Sequence, residues 1–101
     1  MAFSQWWTFR EGLVESDRDD GAVYEFRDDG ENIVYIGSTN ALKRRLKEHL
    51  DEDAKSCIKT NAKMYRYDYR TDYAAEELKL YDAFVKQYGR PPKCNDKRPS
   101  G

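Results

Sequence analysis

Two short runs of strand-forming residues, 22–26 (Ala, Val, Tyr, Glu, Phe) and 33–36 (Ile, Val, Tyr, Ile), are separated by only six residues, Arg27-Asp28-Asp29-Gly30-Glu31-Asn32. Val, Ile, Tyr and Phe favour the pleated, half-buried surface of a sheet. A connection this short has no room for a crossover, so the two strands run antiparallel. Asp29-Gly30 at its centre is a strong local hairpin signal. The hairpin puts Tyr24 and Tyr35 on neighbouring strands, side by side if register and face agree. Taken alone, two strand tyrosines read most simply as core or edge aromatics.

The rest of the pattern is built around that hairpin. Gly37-Ser38-Thr39-Asn40 reads as a strand end followed by a helix cap. Leu42, Leu46 and Leu50 recur at i, i+4 and i+8, which predicts a helix over 41–50. Arg45 and His49 form another i, i+4 pair on a neighbouring face. Residues 51–61 are polar and read as irregular, with Cys57 and Ile58 as anchors. Residues 62–69 alternate, with Met64, Arg66 and Asp68 against Tyr65, Tyr67 and Tyr69, the period of a half-buried strand. Asp72 is placed to cap a last helix over 73–88, with Leu78, Tyr81, Phe84, Val85 and Tyr88 on its apolar side. Gly89 and Pro91-Pro92 stop it. At the N-terminus, Ser4 is placed to cap a short helix carrying Trp6, Trp7, Phe9, Leu13 and Val14. The expected fold is therefore α/β of the α+β type: a small three-stranded antiparallel sheet flanked by helices. The expected organisation is an aromatic helical segment and charged loop over 1–20, one domain over 21–95, and a frayed polar tail over 96–101.

Composition narrows the partners. The net charge is −1, so any grip on nucleic acid must come from a local patch rather than a general basic excess. No apolar run approaches the roughly 18 residues that span a bilayer. No export signal is legible either. A cytoplasmic protein is the expectation, with no membrane partner. Cys57 and Cys94 fit no metal-ligand spacing, and in that compartment they are expected as reduced thiols. With one His in the chain, a His/Cys zinc site is not expected.

Several residue types have chemistry beyond packing. Gly37 at a strand-to-helix junction permits a tight turn and close approach of a backbone or phosphate. Lys43, Arg44, Arg45, Lys47 and His49 make the densest basic segment. It reads either as a solvated helix face or as a phosphate clamp, a role that suits the planar fork of Arg. His49 titrates near neutral pH and suits proton relay. Glu76 and Glu77 sit early in the last helix, and a single carboxylate holds Mg2+ when waters and substrate oxygens complete the octahedron.

In order and spacing these residues resemble the GIY-YIG nuclease family. Gly21-Ala22-Val23-Tyr24 looks like its first motif, with Ala inserted between Gly and Val, and Tyr35-Ile36-Gly37 matches the second. Arg45 falls ten residues after Tyr35, at the place of the family's arginine, and His49 one turn later, where the family has His or Tyr. Pro92-Lys93-Cys94-Asn95 looks like its closing Pro-x-x-Asn. The family's metal-binding Glu lies on the last helix. Ungapped counting back from Lys86 lands on Tyr81, so Glu77, one turn earlier, is the first candidate and Glu76 the second.

The resemblance implies a DNA endonuclease that hydrolyses a phosphodiester with one Mg2+ or Mn2+ held by Glu77. It implies Tyr24 as general base with Tyr35 orienting the water or sharing the proton, and Arg45 against the charge of the transition state. It implies His49 favouring ionised Tyr24, Asn95 fixing the geometry, and Gly37, Ser38, Lys43, Arg44 and Lys47 near the substrate. Branched or damaged DNA is the implied target class, with a protein partner supplying target choice. A non-catalytic module that binds nucleic acid or protein on the same fold is the alternative, and metal-dependent nicking separates the two.

Overall fold

The computed structural model describes residues 2–96 and 98–99. In chain order the elements are β1 (Trp7–Thr8), α1 (Glu11–Val14), β2 (Ala22–Arg27), β3 (Ile33–Thr39), α2 (Leu42–Leu50), α3 (Cys57–Asn61), β4 (Met64–Tyr69) and α4 (Tyr73–Tyr88). The sheet is antiparallel throughout, in the order β1-β4-β2-β3. This is the expected α+β fold with one strand more than expected. The extra strand comes from the N-terminal aromatic segment, which pairs instead of coiling: Trp7 lies opposite Tyr65, Ser4 N–H donates to the Tyr67 carbonyl, and Phe9 N–H to that of Lys63. The free edge of β4 would otherwise expose a row of unpaired backbone groups. Only Glu11–Val14 of this segment is helical.

The β2–β3 hairpin forms as read, but its turn does not use Gly30. The left-handed position falls on Glu31, at φ 64°. Asp28 closes the loop, with its backbone N–H donating to the Asn32 carbonyl and its carboxylate accepting from Asn32 N–H. Gly37-Ser38-Thr39 continues β3 instead of capping the helix, and Thr39 Oγ1 accepts from Ala41 N–H in the turn that follows. Asp72 stands at the N-cap of α4, yet its carboxylate binds Arg70 rather than the helix N–H groups. At the other end the reading holds, since Gly89 adopts φ 74° and donates to the Val85 carbonyl.

The core lies between the sheet and α2, where Tyr24, Phe26, Leu42, Leu46 and Tyr65 are all at most 1% exposed. α4 covers the other face over β2 and β3. The segment read as irregular contains α3, capped by Ser56 through its side chain.

That unforeseen turn overturns the expectation of reduced thiols. Cys57 opens α3 and meets Cys94 at a Cα–Cα distance of 5.5 Å, and the two form a disulfide. Cys94 N–H in turn donates to the Val34 carbonyl. The chain after α4 thus lies along the outer edge of β3, tied by a covalent bond to α3. The tail expected to fray engages Asp82 through Nε and Nη2 of Arg98, while residues 97, 100 and 101 lie outside the described residues. Among the described residues no helix is long and apolar enough to cross a membrane.

Candidate active site

The hairpin register decides how the tyrosines meet. Tyr24 lies opposite Gly37, and Phe26 opposite Tyr35. Tyr24 and Tyr35 are therefore diagonal neighbours on one face, with ring centroids 6.1 Å apart. Both rings fold over Gly37: a Cβ there would lie 2.6 Å from Tyr24 Cζ and 2.7 Å from Tyr35 Cε2. Gly37 is thus required by the two phenols themselves, not by a turn, since it sits within β3. Tyr24 is 1% exposed and has nowhere to move. Gly37→Ala should therefore destabilise the domain by about 1–3 kcal/mol through overpacking. Urea unfolding measures this, and an unchanged midpoint would mean that the rings do not lie over Gly37.

Behind Tyr24 stands α2. Leu42 and Leu46 bury one stripe, and the i, i+4 pair Arg45 and His49 turns toward the phenols. The Tyr24 hydroxyl lies 2.8 Å from His49 Nε2, and His49 Nδ1 lies 2.6 Å from the Glu52 carboxylate. His49 is 1% exposed, so burial lowers its pKa, against the opposing pull of Glu52. The imidazole is neutral at pH 7 and above. Burial pushes Tyr24 well above the usual phenol value, with Tyr35 adding to the rise and Arg45 opposing it. Tyr35 is also raised by burial, again opposed by Arg45. The Arg45 guanidinium therefore bears on both phenols and favours their ionised forms, while it also pairs with Glu48 at 3.0 Å.

From α4, on the other face of the sheet, Glu77 approaches β3 at Ser38, the residue after Gly37. Its charge disfavours ionisation of both phenols, so it lies within electrostatic range of each. Ser38 Oγ donates to it at 2.5 Å. Burial raises the Glu77 pKa, opposed by the Ser38 hydrogen bond alone, and no basic side chain among the described residues pairs with it. Glu76 turns elsewhere, 9% exposed and 3.5 Å from Arg70. Among the described residues no three His, Cys, Asp or Glu side chains form a metal cluster. A half-buried carboxylate that accepts from a hydroxyl, with no cationic partner among the described residues, nevertheless suits a hard divalent cation that keeps most of its waters.

Asn95 does not aim at the phenols. Its side chain bridges Ile36, accepting from the backbone N–H and donating to the carbonyl, each at 3.0 Å. It holds the outer edge of β3 one residue from both Tyr35 and Gly37. Lys43, Arg44 and Lys47 are not brought to the phenols either. Lys47 pairs with Glu15, while Arg44 binds Asn40 through its side chain and Asp19 through its backbone N–H. Lys43 lies within electrostatic range of the carboxylates of Glu15 and Asp17. Glu52 is the residue sequence reasoning missed. Its only signal is the i, i+3 spacing from His49, which is common among surface charges.

Residues 20–85 match the family model described as the GIY-YIG catalytic domain. Over 70 residues the chain is 31% identical to the UvrABC system protein C of Solibacter usitatus (strain Ellin6076), a stretch making up 65% of this chain and 11% of that protein. Among solved structures it is similar to the GIY-YIG N-terminal endonuclease domain of UvrC from Thermotoga maritima. A point mutant of that domain with its catalytic divalent cation is 22% identical with a TM-score of 0.63, covering 85% of this chain and 93% of that one. The same domain with magnesium is 23% identical with a TM-score of 0.62, covering 83% and 92%. At these identities the likeness to the solved structures is one of fold.

Proposed function

Because the chain belongs to the GIY-YIG family, we propose that it is a divalent-cation-dependent endonuclease, hydrolysing a phosphodiester of DNA with Tyr24, Tyr35, Arg45 and Glu77 as its site. The observation that supports this reading is that the two phenols close over Gly37, with His49 of α2 on the Tyr24 hydroxyl and Glu77 of α4 on Ser38, the next residue of β3, while Arg45 and Glu77 bear on both phenols in opposite senses. Packing alone does not require such convergence.

Glu77 would hold a Mg2+ or Mn2+ ion, which when bound supplies Lewis-acid neutralisation of charge on the phosphate and leaving oxygen. Ser38 orients the Glu77 carboxylate through its hydrogen bond. Of the two phenols, Tyr24 is closed off from solvent, whereas Tyr35 is only partly buried. Tyr35 is therefore the group that meets the attacking water, in place of the Tyr24 expected from the resemblance. The Tyr24 hydroxyl steadies the ionised form of Tyr35. As the water oxygen bonds to phosphorus, its proton passes to Tyr35, the Tyr35 proton to Tyr24, and the Tyr24 proton to His49 Nε2. The bond from phosphorus to the leaving oxygen breaks, and solvent protonates that oxygen. Arg45 faces the charge that accumulates on the phosphoryl oxygens, where a preorganised cation in a partly desolvated site is most effective. Asn95 keeps β3 in register with the tail.

Lys47 is paired with Glu15 and Lys43 lies in the field of Glu15 and Asp17, which supports a weak intrinsic grip on DNA and a partner that supplies target choice. The matched stretch makes up only 11% of the UvrC relative's length.

The reading is tested on supercoiled plasmid with Mg2+. Wild type should nick and EDTA should stop it. Tyr35→Phe should slow nicking about 10²–10⁴-fold, the usual contribution of proton transfer. Glu77→Gln should abolish it and Glu76→Gln should not. Activity that persists in Glu77→Gln, or that survives chelation, contradicts the assignment. A wild type inactive on supercoiled and branched DNA alike favours the non-catalytic module.

A further inference from the structure

We propose that Glu52 is a positioning residue of this site, holding His49 in the tautomer whose Nε2 is free to take the Tyr24 proton. Its consequence for cleavage rests on the nuclease reading above, while its geometric part stands without it.

His49 is fully enclosed by the fold. At 1% exposure the ring has no access to water, so each nitrogen must find its partner in the protein. Nε2 has the Tyr24 hydroxyl at 2.8 Å and Nδ1 has the Glu52 carboxylate at 2.6 Å. An ionised carboxylate only accepts hydrogen bonds. The proton of the neutral ring therefore sits on Nδ1, Nε2 presents a lone pair, and Tyr24 must donate to it. Without the carboxylate the ring is free to carry its proton on Nε2. It would then donate to the Tyr24 oxygen and no longer be able to receive a proton from it. The logic is that of any nucleophile or acid whose base is oriented by a third group.

The ordinary explanation of Glu52 is an i, i+3 ion pair that helps the helix. It fits poorly. Glu52 follows the end of α2 at Leu50, and its N–H donates to the His49 carbonyl in the last turn. A negative charge there opposes the helix dipole. With the imidazole neutral there is also no positive charge for it to pair with. What remains is a hydrogen-bond acceptor aimed at a buried ring nitrogen.

Four other groups bear on the ring: Tyr24 from β2, Tyr35 from β3, and Arg45 and Glu48 from α2 itself. All four stay in place when Glu52 is changed. Glu52 favours the imidazolium, whereas burial and Arg45 oppose it. Replacing the carboxylate therefore lowers the pKa of His49 further. Activity that needs neutral His49 is lost as pH falls through that pKa. The acid limb of the nicking profile should move to lower pH in Glu52→Gln, even as the rate on the plateau falls.

The experiment uses the single His of the chain, which gives one unambiguous set of imidazole signals. In wild type labelled with 15N-histidine, NMR at pH 8 should show Nδ1 protonated and Nε2 bare. Glu52→Ala should lose this preference, and Glu52→Gln, whose amide oxygen still accepts from Nδ1, should retain much of it. In nicking assays Glu52→Ala should lower kcat about 10–100-fold, as losing a partner that orients a site histidine does, with KM nearly unchanged. Glu52→Gln should recover part of the loss. A wild-type ring protonated on Nε2 overturns the proposal. So does a Glu52→Ala variant that nicks at the wild-type rate with an unmoved acid limb. A wild type that does not nick at all sinks the nuclease reading instead, and the NMR result still decides what Glu52 does.

Discussion

Arg45→Ala is expected to slow single-turnover nicking about 10²–10³-fold, the loss found when a preorganised stabiliser of transition-state charge is removed. Stability should hardly change. The one ion pair Arg45 makes among the described residues, with Glu48, joins side chains that are 39% and 52% exposed. Pairs so exposed contribute well under about 1 kcal/mol. A large kinetic loss at nearly constant urea midpoint therefore separates catalysis from folding. Arg45→Lys should recover only part of the rate, since an ammonium lacks the planar fork that engages two phosphate oxygens. Arg44→Ala is the control. Its guanidinium binds Asn40, away from the phenols, so its loss should affect DNA binding at low salt more than the rate. Equal effects of the two substitutions would mean that Arg45 is no more than one basic residue on the surface of α2.

Reduction of the Cys57–Cys94 disulfide is expected to have the largest effect on folding. The bond closes a loop with a sequence separation of 37. Cross-linking a loop of this length stabilises by about 4 kcal/mol. A domain of this size has about 5–15 kcal/mol in total, so the loss takes a large part of it. Dithiothreitol, or the pair Cys57→Ser and Cys94→Ser, should lower the urea midpoint accordingly. Activity should fall with it under conditions where the chain is still folded. Cys94 and Asn95 tie the tail to Val34 and Ile36, and Ile36 lies between Tyr35 and Gly37. A midpoint shift worth less than about 1 kcal/mol would mean that the bond does not constrain the unfolded chain as the loop length implies.

What the sequence made legible was local. The β2–β3 hairpin, the α2 stripe of Leu42 and Leu46, the period-two strand β4, and α4 with its glycine stop all follow from short-range pattern. The misses depend on contacts between distant segments. Trp7 and Phe9 carry the composition of an amphipathic helix, and only the free edge of β4 makes them extended. Cys57 and Cys94 look unrelated until α3 turns one toward the tail. Gly37 was legible as a necessary glycine, but the reason is the two rings above it and not a turn. The same distinction applies to the site. Order and spacing were enough to bring Tyr24, Tyr35 and His49 into one group, because a hairpin and the next helix fix their relative positions. They ranked Glu77 ahead of Glu76 only by counting along the helix, whereas the surroundings of each depend on how α4 rotates against the sheet: Glu77 meets Ser38 and Glu76 lies near Arg70. Nor could they find Glu52, whose meaning comes entirely from the buried ring it touches.

The central claim is that one carboxylate and the tyrosine pair face a common point that takes a divalent cation. Anomalous diffraction from crystals soaked in Mn2+ tests it most directly. The account predicts a single peak at coordination distance, about 2.2 Å, from a Glu77 oxygen, with the Tyr35 hydroxyl turned toward the ion's water shell. A peak on Glu76, or none within reach of Glu77 at saturating Mn2+, would contradict it.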